Sequence, residues 1–193
     1  MYGLDIETDT TMGGLDPAKA PIVAIAIAGE SRSWVFTGSE ADILRRTDLH
    51  IRSLAAGVLV TWNGARFDLP FIADRANTLG VELGLTLVAD KRARSRRDPL
   101  PGHQGGYLAN WHAHTHLDAY RVYRADVGAS LGIPCGLKTL ARFAGLEPVE
   151  VDRTMIHELT DDELHAYVAS DAELARELAL RRWPTAVQAI DNL

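Results

Sequence analysis

Seven consecutive apolar residues, Ile22–Ala28 (IVAIAIA), form a run suited to a strand that is buried inside a protein. Two shorter strand candidates flank this run, at Tyr2–Ile6 and Ser33–Thr37. Gly and Pro residues lie between the first two segments, as they do in hairpin-like connections. The first third of the chain is therefore predicted to form an antiparallel meander.

Beyond this meander, segments of helical and strand character alternate. In chain order, we predict a helix from Ser39 to near Gly57, a strand at Val58–Trp62, a helix at Asp68–Leu79 and a strand at Leu85–Ala89. The Gly-, Pro- and Arg-rich stretch from Lys91 to about Asn110 is predicted to be a long loop without structure of its own. This alternation indicates an α/β fold.

The final third of the chain is predicted to be helical. One helix covers Leu137–Ala144, where Gly145 is a suitable C-terminal cap. A longer helix runs from about Asp161 to Arg182, and its start is marked by Thr160 and Glu163, which have the spacing of a capping box.

Composition is that of an ordinary globular protein. The chain has 193 residues, of which 47% are hydrophobic and 24% charged, and a chain of this length can bury roughly 70% of its unfolded surface. We therefore expect a single domain over residues 1–193. One cysteine, no signal peptide and no long apolar stretch favour a cytoplasmic protein that does not contact a membrane.

The formal net charge of -6 would ordinarily argue against a polyanionic partner. The distribution of charge matters more than its sum, however, because bound divalent cations would add positive charge where carboxylates cluster. The segment Lys91–Arg97 (KRARSRR) also concentrates basic residues in one short stretch. It is as often a solvated loop as a binding element.

Acidic residues in three separate segments form a candidate site. Asp5 and Glu7 are two residues apart in a predicted strand, so their side chains project from the same face. Asp68 opens a predicted helix at the end of the sheet, where α/β folds bind ligands. Tyr167 and Asp171 are four residues apart and share one face of the last helix.

Hard carboxylate oxygens are the ligands that Mg²⁺ and Mn²⁺ prefer, whereas zinc favours nitrogen and sulfur. Two such ions about 3.5–4 Å apart can clamp the attacking and leaving oxygens of a phosphoryl displacement. A tyrosine phenol ionises far above neutral pH and is a poor general base. Tyr167 is therefore assigned to orienting the attacking water.

Three motifs resemble those of the DEDD superfamily of 3′–5′ exonucleases: Asp5-Ile-Glu7-Thr8, Asn63-Gly-Ala-Arg-Phe67-Asp68 and Tyr167-Val-Ala-Ser-Asp171. The Tyr-x-x-x-Asp form is that of the tyrosine subgroup. NGARFDLPF, HLDAYRVYR and GLKTLARFAG are similar to segments of the exonuclease domains of family B DNA polymerases and their stand-alone relatives.

This resemblance covers nearly the whole chain and implies a ribonuclease H-like (DnaQ-like) fold, with a mixed sheet of about five strands flanked by helices. It implies that Asp5, Glu7, Asp68 and Asp171 bind two divalent metal ions. The expected substrate is a nucleic acid, DNA or RNA, with a single-stranded 3′ end. Candidate substrate-binding residues are Thr8, Asn63, Phe67, Lys91, Arg92 and Arg94.

Two other functions remain open on the sequence. A nucleic-acid-binding module could keep the fold without catalysing hydrolysis. His112, His114 and His116 alternate before Asp118, so a strand would carry the three imidazoles on one face. Three imidazoles on one face could bind the zinc ion of a hydrolase. The alternative is that they form the polar face of a strand leading to a structural Asp118.

Overall fold

The computed structural model describes residues 1–11, 13–93 and 99–190, which include a mixed sheet of seven strands. The spatial order of the strands is β3-β2-β1-β4-β7-β6-β5. Their bounds are β1 Tyr2–Thr8, β2 Ile22–Ala28, β3 Ser33–Thr37, β4 Gly57–Thr61, β5 Leu85–Ala89, β6 Tyr107–Trp111 and β7 His114–Asp118.

The predicted meander is confirmed, because β1 pairs antiparallel with β2, and β2 pairs antiparallel with β3. The two faces of β2 carry side chains of different size. Ile25 and Ile27 enter the main hydrophobic core, whereas Ala24 and Ala26 face a smaller cluster on the other side of the sheet. Small side chains on that second face leave room for a helix to lie close to the sheet.

The centre of the sheet is parallel. β4 pairs in parallel with β1 on one side and with β7 on the other, so the carboxyl ends of these three strands share one edge. β5 and β6 then extend the sheet in antiparallel fashion beyond β7.

Helices cover both faces of this sheet. α1 (Glu40–Ser53) and α2 (Asp68–Leu79) contribute to the core that buries Ile25 and Ile27. The other helices, in chain order, are α3 Ala119–Tyr123, a π-helical turn Arg124–Gly128, α4 Ala129–Leu131, α5 Leu137–Phe143, a 3₁₀ segment Arg153–Glu158, α6 Asp161–Arg181 and α7 Trp183–Ile190. α6 packs against β1 and β2 on the opposite face, and the predicted capping box between Thr160 and Glu163 is present.

Two expectations need correction. The sheet has seven strands where about five were expected, because β5 and β6 add an antiparallel pair at one end. Residues 107–110, assigned to a long loop, lie in β6, where main-chain pairing with β5 outweighs the loop-like composition. Beyond Arg182, for which the sequence analysis made no prediction, the chain forms α7. Pro184 lies in the first turn of this helix, where a proline is tolerated.

No helix among the described residues is both long enough and apolar enough to cross a membrane.

Candidate active site

Asp5 and Glu7 lie on β1 and point away from the main core. The neighbouring Leu4 and Ile6 occupy the opposite face of the strand and are buried in that core. This alternation follows directly from the two-residue period of a strand. Burial of Leu4 and Ile6 therefore fixes the direction in which both carboxylates project.

Asp171 reaches the same face because α6 lies unusually close to β1. A Cβ atom on Gly3 would overlap the carbonyl oxygen of Ala172, so only glycine fits at this position. On the neighbouring strand, Ala24 and Ala26 pack against Val168 and Ala172 of α6. Small residues on both strands thus allow the helix to bring Asp171 to Asp5 and Glu7.

Carboxylate oxygens of Asp5, Glu7 and Asp171 all lie within 4.8 Å of one another. Over residues 1–11, 13–93 and 99–190 this is the one group of three or more His, Cys, Asp or Glu residues with such a geometry. Asp171 is 2% exposed, whereas the two β1 acids are half-buried. Hard oxygen ligands at this separation fit a divalent cation.

Asp68 lies in the first turn of α2, as predicted, and is buried. It is not one of the three mutually close carboxylates, but the backbone of Ile6, between Asp5 and Glu7, hydrogen-bonds to it. Burial raises the pKa of Asp68 to about 7, with smaller contributions from the negative charges of Asp118 and Asp171. The structure therefore places all four predicted carboxylates in one neighbourhood.

Tyr167 lies one turn before Asp171 on α6 and is fully buried. Sequence reasoning did not single out Lys138, the second residue of α5, as part of this site. Its Nζ lies 3.9 Å from the centre of the Tyr167 ring and 3.3 Å from Oδ1 of Asp171. The contact depends on how α5 and α6 pack against each other. Nothing in the sequence around this lysine indicates that packing.

Asn63 and Phe67 line a cavity of about 220 Å³, together with Leu15, Arg66, Pro99, Leu100 and Gly105. Asn63 has a φ of 70°, a left-handed conformation that asparagine tolerates better than most residues. Its backbone N–H donates to Oδ1 of Asp118 at 2.9 Å. Thr8, the third of these predicted substrate contacts, is buried at the end of β1.

Lys91 and Arg92 are exposed in the turn that follows β5, where they contribute to the lining of a second cavity, of about 720 Å³. An ion pair of 2.7 Å between Arg121 and Asp90 forms part of the same wall. Arg94 and the remainder of the basic run lie outside the described residues.

The structure does not favour a zinc site at these histidines. His112 lies in the turn before β7, not in the strand, and its Nε2 is 3.0 Å from Oδ1 of Asp48. His114 is buried with Nε2 3.0 Å from the carbonyl oxygen of Ala55.

His116 lies on the same strand and shares a 2.8 Å hydrogen bond with Oγ1 of Thr61. Burial lowers the pKa of His116 to about 3, so this imidazole is neutral. The three rings therefore have separate partners, and none of them joins a metal-ligand group in the described part of the chain.

Asp118 follows these histidines and has a structural environment. Its Oδ1 accepts hydrogen bonds from the backbone N–H groups of Asn63 and Tyr120. Burial raises the pKa of Asp118 to about 6, although the Asn63 amide and the charge of Arg121 act in the opposite direction. Asp118 thus anchors the loop that carries Asn63.

Comparisons with known proteins agree with this geometry. The profile of the DNA polymerase family B exonuclease domain matches residues 32–131, slightly more than half of the chain. A DNA polymerase of Pyrococcus glycovorans is 30% identical over 140 residues, which are 66% of this chain and 17% of the polymerase. The catalytic chain of DNA polymerase epsilon from Schizosaccharomyces pombe is 30% identical over 138 residues, 69% of this chain and 6% of that protein.

A solved structure, the family B DNA polymerase of the hyperthermophilic archaeon Pyrobaculum calidifontis, superimposes with a TM-score of 0.73. The match covers 95% of this chain and 24% of the polymerase, at 21% sequence identity. The chain thus spans a quarter or less of the length of these relatives. Its mixed sheet and flanking helices form the ribonuclease H-like fold expected from the sequence. The chain belongs to the exonuclease-domain family of the family B DNA polymerases, a family of 3′–5′ exonucleases that act on nucleic acid with divalent metal ions.

Proposed function

We propose that this chain, acting as one domain, is a metal-dependent 3′–5′ exonuclease that releases nucleoside 5′-monophosphates from the end of a DNA or RNA strand. The observation that carries the proposal is the approach of Asp5, Glu7 and Asp171 to within 4.8 Å of one another. Membership of the exonuclease-domain family supports it independently.

Asp5, Glu7 and Asp171, with Asp68 beside them, would hold two divalent cations, Mg²⁺ or Mn²⁺. Carboxylates that converge in this way repel each other, so bound cations offset a substantial electrostatic cost. The cations supply Lewis-acid activation of water and stabilise the developing charge on the phosphodiester. The protein contributes fixed positions, because each carboxylate lies on a strand or in a helix and not on a long loop.

Tyr167 would orient the attacking water, as in the tyrosine subgroup of DEDD exonucleases. Its position one turn before Asp171 supports this role, because both side chains then face the same region. The Lys138 ammonium over the ring restrains the plane of the phenol. A restrained phenol can hold a hydrogen bond to water in one direction without changing its own protonation.

Asn63 and Phe67 would contact the terminal nucleotide, with Thr8 close to the acidic cluster. The cavity of about 220 Å³ that they share supports this assignment, since it adjoins the helix start that carries Asp68. Lys91, Arg92 and Arg94 would contact phosphates further along a single strand. Contacts of that kind fix the strand without reading its sequence.

A labelled oligonucleotide provides the test. The protein is incubated with 5′-labelled single strands in Mg²⁺, in Mn²⁺ or in chelator, and products are resolved at one-nucleotide resolution. The expected result is a ladder shortening from the 3′ end with either metal and no cleavage with chelator. Asp5→Ala should abolish the ladder, and Asp42→Ala is the matched control because Asp42 is an exposed acid on α1 paired with Arg45.

Tight metal-independent binding with no ladder under any metal would instead establish a non-hydrolytic binding module. Parallel reactions with matched RNA and DNA, single- and double-stranded, define the substrate class. Discrimination between the two sugars depends on contacts to the 2′-OH.

A further inference from the structure

Lys138 is a largely buried lysine at the edge of the acidic cluster. Its side chain is 12% exposed, whereas Lys19 is 62% exposed and Lys91 is also exposed, and the sequence contains no other lysine. Lysines are rarely buried unless paired, because an ammonium loses much of its hydration when it leaves water. The groups that contact Lys138 therefore indicate the role of its positive charge.

Three groups surround the ammonium. Nζ donates to the carbonyl oxygen of Val149 at 2.5 Å, lies 3.9 Å from the centre of the Tyr167 ring, and is 3.3 Å from Oδ1 of Asp171. Only Asp171 is a proposed metal ligand. The carbonyl and the ring would keep the cation beside the site even when Asp171 is bound to a metal.

We propose that Lys138 acts on the site through its charge beside Asp171: its ammonium neutralises part of the acidic cluster and lowers the affinity of the substrate-free protein for divalent cations. This inference rests on the proposed function, because it takes the four carboxylates as the metal ligands. Asp171 already has a fixed position on a helix of 21 residues, so the ammonium is not needed to place its carboxylate.

Formal charges show why such a cation suits an enzyme that acts on phosphodiesters. Four ionised carboxylates and one ammonium leave three net negative charges, and two divalent cations turn these into one net positive charge. The phosphodiester of the substrate cancels that excess. Without Lys138 the metal-loaded site would be neutral before any substrate arrived, and it would attract the substrate less strongly.

Direct titration with Mn²⁺, followed by electron paramagnetic resonance of the free ion, tests this without relying on catalysis. Lys138→Met keeps the length of the apolar stem and removes the charge. It is expected to bind Mn²⁺ about tenfold more tightly than the wild type, because a positive charge 3.3 Å from a carboxylate oxygen of the proposed ligand Asp171 has been removed. Lys138→Arg restores the charge and should return the affinity toward the wild-type value, and Lys19→Met is the matched control.

Thermal unfolding gives a second measurement. In chelator, Lys138→Met should melt at a lower temperature than the wild type because the carboxylates lose an internal counter-charge. Saturating Mn²⁺ should raise the melting temperature of the variant by more than it raises that of the wild type. If Lys138→Met does not fold, Lys138→Gln serves in both experiments. Equal or weaker Mn²⁺ binding by the folded variant would overturn the inference while leaving the nuclease proposal intact. Absence of Mn²⁺ binding by the wild type would instead contradict the nuclease proposal itself.

Discussion

Two groups of ionisable side chains in this sheet are organised in opposite ways. On β7, His116 and Asp118 each bond to a group of the protein, the first to Thr61 and the second to backbone amides. On β1 and α6, oxygens of three carboxylates lie within 4.8 Å of one another. Hydrogen bonds to neutral groups offset part of the cost of burying a polar side chain, whereas converging like charges cost stability unless a cation joins them. The difference separates the structural polar residues from the proposed metal ligands.

Neutralising one converging carboxylate should have the largest effect. Asp5→Asn is expected to lower the rate of single-turnover cleavage by at least about 10³-fold, since metal ligands contribute several kcal/mol of transition-state stabilisation. His116→Gln, on β7, should remain within about tenfold of the wild type. Comparable losses in the two variants would remove the distinction between the two groups.

Asp68 allows a direct measurement of how much folding stability the protein loses when a buried carboxylate of the acidic site ionises. Its folded-state pKa of about 7 lies above the ordinary carboxyl value of 3.8. Its contribution to stability is therefore fully present below about pH 3.8 and is lost as pH rises through about 7. In chelator at pH 8, Asp68→Asn should be more stable than the wild type by up to about 4 kcal/mol, and at pH 4 the two should nearly coincide.

Urea denaturation at pH 4, 6 and 8 measures this difference. Adding Mg²⁺ at pH 8 should stabilise the wild type more than Asp68→Asn, because binding to the folded state alone increases stability by mass action. A variant with the same pH profile as the wild type would show that burial does not raise the pKa of Asp68.

Gly3 tests how the acidic group is brought together. Gly3→Ala places a methyl group in the space of the Ala172 carbonyl oxygen, so α6 must move away from β1. The expected cost is about 1–3 kcal/mol of unfolding free energy, together with weaker metal binding as Asp171 recedes. Gly57→Ala is the control, because a Cβ there meets its nearest atom at an ordinary 3.6 Å. Unchanged Mn²⁺ affinity in Gly3→Ala would show that the distance between α6 and β1 does not set the metal site.

The sequence predicted those parts of the site whose geometry is local. The two-residue spacing of Asp5 and Glu7 and the four-residue spacing of Tyr167 and Asp171 correspond to one face of a strand and one face of a helix. The strand Ile22–Ala28 and the helix Asp68–Leu79 have the predicted bounds. In each case neighbours along the chain determine which way the side chains point.

Features that depend on contacts between distant segments were not predicted. Lys138 meets Asp171 only because α5 packs beside α6, and β6 forms because β5 offers it a paired edge. The alternating histidines were misleading for a related reason, since His112 lies in a turn and each ring found its own partner. A pattern of residue types does not show whether polar side chains will converge into one site or will each hydrogen-bond to a separate partner.

His116 should show the opposite pH dependence from Asp68, with a smaller effect over the interval from pH 7 to pH 5. Its folded-state pKa of about 3 lies below the ordinary value of 6.5, so the unfolded chain takes up a proton first as pH falls. Stability from this group is therefore present above about pH 6.5 and is lost as pH falls toward 3, by about 2 kcal/mol at pH 5. His116→Gln keeps a neutral hydrogen-bonding partner for Thr61 and should lose less stability than the wild type between pH 7 and pH 5. Equal losses over that interval would mean that His116 can take up a proton in the folded protein, which would undo the contrast between the two groups.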